Sequence, residues 1–308
     1  MEQQNAIVVD RISKKYGDFT AVEDVSFNVR KGSIFGLLGP NGAGKTTTIR
    51  MIMNIIAPDS GTISILGASS TERASELVGY LPEERGLYKK MKVLDHLIFL
   101  GEIRGLDRAT SKTRSQQWLE RLSLADWSNR RVEELSKGMQ QKVQFIGSVI
   151  HEPPVMILDE PFSGLDPVNA RVLKQLFVEF RAAGKTLVLS THVMEHAEQL
   201  CDEVALVNNA RIVLRGSIAE VKRQYSGNRL EIRGNGDLES IRQIPEVFSV
   251  ESRDGGAAIE LKGDASLSDF LRKLTSLYAL ESVVPHEASL DEIFVKVVGT
   301  EHTEGVTV

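Results

Sequence analysis

The run Gly39-Pro40-Asn41-Gly42-Ala43-Gly44-Lys45-Thr46 constrains this chain more than any other stretch. The apolar residues Ser33–Leu38 lead into it and read as a buried strand. Lys45 to about Ile55 follow and read as a helix. A glycine-rich turn between a strand and a helix can direct successive backbone N–H groups inward, and the helix start adds a partial positive charge. That context fits the phosphate-loop pattern G-x-x-x-x-G-K-[ST]. Lys45 is then placed to neutralise β- and γ-phosphate oxygens, and the Thr46 hydroxyl to ligate Mg²⁺.

A second segment supplies acids where such a loop needs them. Val155-Met156-Ile157-Leu158-Asp159-Glu160 is four apolar residues ending in two carboxylates. A continuous apolar run reads as a parallel strand buried on both faces. Its C-terminal end is where α/β sheets bind ligands. Asp159 is therefore expected to hold Mg²⁺ and Glu160 to orient or deprotonate an attacking water.

Around these motifs the pattern alternates strand and helix. Strands are expected at Ala6–Ile12, Val25–Val29, Thr62–Leu66, Val78–Leu81 and Thr186–Ser190, with helices at Val168–Ala183 and Met194–Leu200 and a hairpin turn at Asn208-Asn209. Residues 92–150 read instead as a helical insert, with capping-type starts at Ser111 and Ser136. After Gly227 the order becomes β (Arg229–Arg233), α (Leu238–Gln243), β (Val247–Glu251), a turn at Asp254-Gly255-Gly256, β (Ala257–Leu261), α (Leu267–Tyr278), β (Leu280–Val284). This βαββαβ order is the ferredoxin-like motif. A last amphipathic helix is expected at Leu290–Val298 and a frayed tail at 299–308.

Charge separates the two parts. Residues 228–308 carry 8 Lys+Arg against 15 Asp+Glu, so that segment is acidic, while the rest of the chain is close to neutral. An acidic second domain argues against nucleic acid as a partner there. No apolar run approaches the ~20 residues that span a bilayer. The single cysteine, Cys201, excludes an internal disulfide. His151, His196 and His286 show no metal-ligand spacing.

Leu135-Ser136-Lys137-Gly138-Met139-Gln140-Gln141-Lys142 resembles the L-S-G-G-Q-Q signature of ABC ATPases, with Lys137 and Met139 where the consensus has glycine and glutamine. Further family elements stand in matching order: Tyr16 resembles the aromatic that stacks on adenine, Ser163-Gly164-Leu165-Asp166-Pro167 the loop crossing the dimer interface, and Thr191-His192 the switch histidine. Gly79-Tyr80-Leu81-Pro82-Glu83 aligns with a loop that usually ends in glutamine.

The resemblance implies an α/β fold. Residues 1–222 would form a P-loop NTPase core with an antiparallel β subdomain and a helical insert at about 84–150, followed by a ferredoxin-like α+β domain at 228–298. It implies ATP and Mg²⁺ as cofactors, with ATP held by Tyr16 and residues 39–47, including Thr47. Glu160, His192 and Glu83 would be catalytic, and Thr46, Asp159 and Glu83 would be metal ligands. Ser136, Gly138 and Gln140 would act on the ATP of a second subunit, either a copy or a homologue, with Asp166 at the dimer loop.

Glu83-Glu84-Arg85-Gly86-Leu87-Tyr88 and Ser289-Leu290-Asp291-Glu292-Ile293-Phe294 further resemble ATP-binding subunits of multidrug- and sodium-type exporters. Those work beneath a separate membrane permease, on the cytoplasmic face. Leu87, Tyr88 and Met91, rimmed by Arg85, Lys89 and Lys90, are the expected permease-docking surface. The competing class is a soluble ABC ATPase acting on ribosomes or nucleic acid. Such members usually carry two nucleotide domains or a long coiled-coil insert, and this sequence shows neither.

Overall fold

A computed structural model describes residues 4–69, 77–84, 86–226, 228–234, 238–253, 256–263 and 265–304. Arg85 of the expected docking rim, and Asp254 and Gly255 of the expected turn, lie outside them. The chain divides into two compact units, Met1–Ser217 and Ile218–Val308.

The first unit is built on a six-stranded sheet ordered β10-β9-β3-β8-β7-β6. Its members are β3 (Ile34–Leu38), β6 (Val78–Leu81), β7 (Val155–Asp159), β8 (Thr186–Thr191), β9 (Glu203–Asn208) and β10 (Arg211–Ser217). All neighbours are parallel except β9 and β10. Every residue of β3, β7 and β8 is buried, which is why each carries a continuous apolar stretch, Val155–Leu158 in β7 and Leu187–Leu189 in β8. Asn209 and Ala210 link β9 to β10 with φ of 46° and 67°, the two left-handed positions of a tight hairpin turn.

A second, antiparallel sheet runs β2-β1-β4-β5, from β1 (Asn5–Tyr16), β2 (Phe19–Arg30), β4 (Ser60–Ile65) and β5 (Ala68–Ser69). Its inner face (Ile7, Val9, Val25, Phe27) shares one core with Phe35, Leu37, Ile157 and Val188 of the larger sheet and with Ile49 and Ile52 of α1 (Lys45–Ile52). Phe27 and Phe35 stack at 5.1 Å, joining the two sheets.

The helical insert leaves after β6 and returns at β7, although those strands are hydrogen-bonded neighbours. It holds α2 (Val93–Glu102), α3 (Arg108–Arg121) and α4 (Lys137–Val149). Trp118 of α3 and Phe145 of α4 meet edge-on at 6.0 Å, and Phe145 meets Phe177 of α5 (Pro167–Ala182), also at 6.0 Å. Ser136 caps α4 as expected, accepting the Met139 N–H at 3.3 Å. Ser111 caps nothing. It lies buried within α3, and Asp107 caps that helix by accepting the Thr110 N–H at 2.9 Å. This unit also holds α6 (Met194–Leu200).

The second unit opens with α7 (Ile218–Ser226). The sequence reading carries the first domain to 222, but the compact unit ends at Ser217. Val221 of α7 is buried, and the Ser226 hydroxyl accepts the Ala288 N–H at 2.9 Å. An antiparallel sheet follows, ordered β12-β13-β11-β14, from β11 (Arg229–Gly234), β12 (Val247–Arg253), β13 (Gly256–Leu261) and β14 (Leu280–Pro285). This is the ferredoxin-like order. One face packs on Phe270 and Leu274 of α8 (Leu267–Leu277) and on Ile241. The expected helix at Leu238–Gln243 is a 3-10 helix of six residues. The last helix, α9 (Leu290–Glu304), runs past the expected end at Val298 into the segment read as a tail.

Candidate functional site

The phosphate loop joins β3 to α1. Gly39 has φ 147°, and a Cβ there would lie 2.2 Å from the Val207 carbonyl oxygen. Gly44, immediately before α1, has φ 109°, and a Cβ there would lie 2.4 Å from the Ala21 carbonyl oxygen. Both positions accept only glycine, on conformation and on space. Gly42 is also left-handed but faces open space. The loop borders a cleft of about 360 Å³ lined by Asn41, Gly42, Gly44 and residues 45–47, together with Glu83, Glu160, Phe19 and Ala21.

Lys45 is buried at the start of α1, where its ammonium donates to the carbonyls of Gly39 at 2.7 Å and Pro40 at 3.0 Å. Burial lowers its pKa, opposed by the charges of Glu160, Asp159 and Glu83. Ala43, within the loop, is buried.

Asp159 ends β7 and is fully buried. The Ser190 hydroxyl donates to its Oδ1. Burial raises its pKa, opposed by the hydroxyls of Ser190 and Thr46, while the Glu160 charge raises it further. Its Oδ2 is buried without a hydrogen bond of ordinary geometry. Glu160 leaves the strand in the left-handed region, at φ 46°. Its N–H donates to the Ser190 carbonyl at 3.1 Å, which holds this unfavourable conformation. Its Oε1 accepts the His192 backbone N–H at 3.0 Å, lies 2.8 Å from His192 Nδ1, and is 3.9 Å from the Lys45 ammonium.

The structure thus brings together the loop, Lys45, Thr46, Thr47, Asp159, Glu160, His192 and Glu83. Tyr80, three residues before Glu83, is half-buried and its phenol is pushed up to about 12, by burial first and by Asp159 second. Ser136, Gly138, Gln140 and Asp166 do not line this cleft. Gln140 spends its amide on its own chain, donating to the carbonyls of Val132 at 3.2 Å and Leu135 at 3.1 Å. Asp166 caps α5, accepting the Asn169 N–H at 2.9 Å.

Tyr16 is also absent from the cleft lining. It stands at the end of β1 with the Lys14 ammonium 5.8 Å from its ring centroid. Sequence reasoning missed Ser190 and Phe19. The signal for Ser190 was a hydroxyl two residues before His192, on the strand beside Asp159. The signal for Phe19 was a second aromatic opposite Tyr16 across a two-residue turn.

Among the described residues, no three His, Cys, Asp or Glu side chains converge on a metal position. Cys201 is buried, and burial pushes its thiol up, so it is unreactive at neutral pH.

Residues 22–163 match the family model for ABC transporters, and residues 216–298 match that for the C-terminal domain of DrrA1-3-like ATP-binding proteins. The chain is 37% identical to the ABC transporter ATP-binding protein YhaQ of Bacillus subtilis, over 95% of this chain and 98% of that one. The chain belongs to the ABC transporter ATP-binding family. It is also 34% identical to the Nod factor export ATP-binding protein I of Ralstonia nicotianae, over 95% of this chain and 94% of that one. Among solved structures, the ATP binding subunit of an ABC transporter superposes with a TM-score of 0.67 at 34% identity, covering 71% of this chain and 93% of that one. This ABC ATPase therefore binds and hydrolyses ATP as the nucleotide-handling subunit of a transporter. Nothing in these likenesses supports the ribosome or nucleic-acid alternative. No described helix is long and apolar enough to cross a membrane.

Proposed function

We propose that this ABC ATPase drives export through a separate membrane permease, docked on the cytoplasmic face, by ATP-dependent closure of a dimer. The observation that carries the reading is that Lys45, Thr46 and Glu160 line one cleft, with the buried Asp159 carboxylate beside the Thr46 hydroxyl and the Glu160 and Lys45 charges. Lys45, the loop N–H groups and the N-terminus of α1 hold the triphosphate. The residues present fit Mg²⁺: Asp159 offers a buried oxygen lacking an ordinary hydrogen bond, and the Thr46 hydroxyl sits beside that carboxylate. The small number of protein ligands suits an ion that keeps its waters and binds through substrate phosphates. Bound there, Mg²⁺ neutralises the charge on the β- and γ-phosphates.

Glu160 accepts the proton of the attacking water, and His192 fixes the carboxylate from the neighbouring strand. Glu83, on the rim of the cleft, connects it to the helical insert. Ser136 and Gly138, at the start of α4, do not line the chain's own cleft and on this reading serve the nucleotide of a second subunit, with Asp166 at the contact. One chain then supplies half of each of two sites. The likeness to a Nod factor export subunit supports export as the direction.

Fractionation of cells tests the assembly. Expressed with its permease, the chain sediments with membranes, and without the permease it does not. Sedimentation with ribosomes in both cases would overturn the reading.

A further inference from the structure

We propose that Gln144 is a positioning residue for ATP hydrolysis: its buried amide, on α4, sets the place of Glu83 at the cleft. The inference rests on the ATP-site reading above. Glu83 lies two residues beyond the end of β6 and borders the cleft together with Lys45, Thr46 and Glu160. Its side chain is exposed, so the position of the carboxylate depends on the backbone that carries it.

That backbone is held from a helix distant in sequence. The Gln144 amide nitrogen donates to the Pro82 carbonyl at 3.0 Å and to the Glu84 carbonyl at 3.0 Å, so it brackets Glu83 from both sides. An amide nitrogen carries two hydrogens, and both are used here. Gln144 is only 7% exposed, and its Oε1 is buried without a hydrogen bond among the described residues. An unpaired buried oxygen costs stability, so core packing alone does not account for a glutamine at this place. Gln141 stands three residues earlier, on the same side of α4, and donates to the carbonyl of Pro161, the residue after Glu160, at 3.3 Å. One side of α4 therefore grips both segments that bring a glutamate to the cleft.

A double-mutant cycle on the full-length chain tests the proposal, with steady-state phosphate release and calorimetric ATP titration for each variant. Gln144→Met keeps the length of the side chain and removes both donors. It is expected to lower kcat about tenfold, as a misplaced reacting group does, and to leave ATP affinity unchanged. Gln144→Met combined with Glu83→Ala is expected to be no slower than Glu83→Ala alone, because Gln144 acts through Glu83. Additive losses in the double variant overturn the proposal. So does a parent-like kcat in Gln144→Met, or a fall in its ATP affinity that matches the fall in kcat. If Gln144→Met does not fold, Gln144→Glu takes its place in the cycle, with the same shape and no donor when ionised. Parent-like hydrolysis by Glu83→Ala also overturns the proposal, but it leaves the ATP-site reading standing. That reading fails separately, if Lys45→Ala binds ATP like the parent.

Discussion

Glu160 and His192 meet twice: the Glu160 carboxylate accepts the backbone N–H of His192 at 3.0 Å, and the same oxygen lies 2.8 Å from the imidazole Nδ1. The backbone contact comes from the residue just after β8 and survives any substitution at 192 except proline, whereas the ring contact does not. His192→Ala is therefore expected to lower kcat by about 10²-fold while changing the KM for ATP little. Steady-state phosphate release measures both. A kcat within about twofold of the parent would show that the imidazole has no part in the step.

The shared-site reading makes a prediction about mixed dimers. Chains carrying Ser136→Arg, crosslinked to chains carrying Lys45→Ala, should give a heterodimer with one intact site and one doubly damaged site. Nucleotide occupancy should be one per dimer. Two half-damaged sites, neither binding normally, would place Ser136 on its own subunit's nucleotide.

Stability should fall in mild acid. His96 is fully buried, with neither ring nitrogen hydrogen-bonded among the described residues, and burial lowers its pKa from 6.5 to about 4. His151 is likewise lowered to about 4, by burial first and by Arg104 second. Below pH 6.5 the unfolded chain takes up protons that the folded chain refuses. Stability is therefore complete above that pH and is lost as pH falls toward 4, by on the order of 2–3 kcal/mol per residue. Urea midpoints at pH 7 and pH 4.5 measure the loss, which His96→Phe should reduce. An identical pH dependence in the variant would contradict this account of His96.

Tyr88 stands 54% exposed at the entrance to the insert, with edge contacts to Phe99 at 5.5 Å and to His96 at 5.7 Å. Leu87 and Met91 beside it are half-buried. If this is the permease surface, Tyr88→Ala weakens assembly by about 1–2 kcal/mol and leaves ATP binding by the isolated subunit unchanged. A pull-down titration against the permease reads the first quantity and calorimetry the second. Full-strength assembly would move the docking surface elsewhere on the insert.

What could be read in advance follows from how local each feature is. The phosphate loop and the Val155–Glu160 run carry their geometry in consecutive residues, because a strand end, a glycine turn and a helix start are each fixed by near neighbours. The start of α3 was misplaced at Ser111 because a buried serine and a capping serine look alike in sequence, and Asp107 offered the better acceptor four residues earlier. Ser190 and Phe19 were missed for a different reason. Each acquires its place only when strands distant in sequence are paired, Ser190 beside Asp159 in β7–β8 and Phe19 across the β1–β2 turn.

On the reading proposed above, the Glu160 carboxylate takes the proton from water while Lys45 and its loop hold ATP. Phosphate release by the purified Glu160→Gln chain, measured beside its ATP affinity, tests it most directly. The expected result is a loss of hydrolysis of about 10²-fold or more, with ATP binding retained and an ATP-bound dimer accumulating. Hydrolysis by Glu160→Gln at a rate near that of the parent would contradict it.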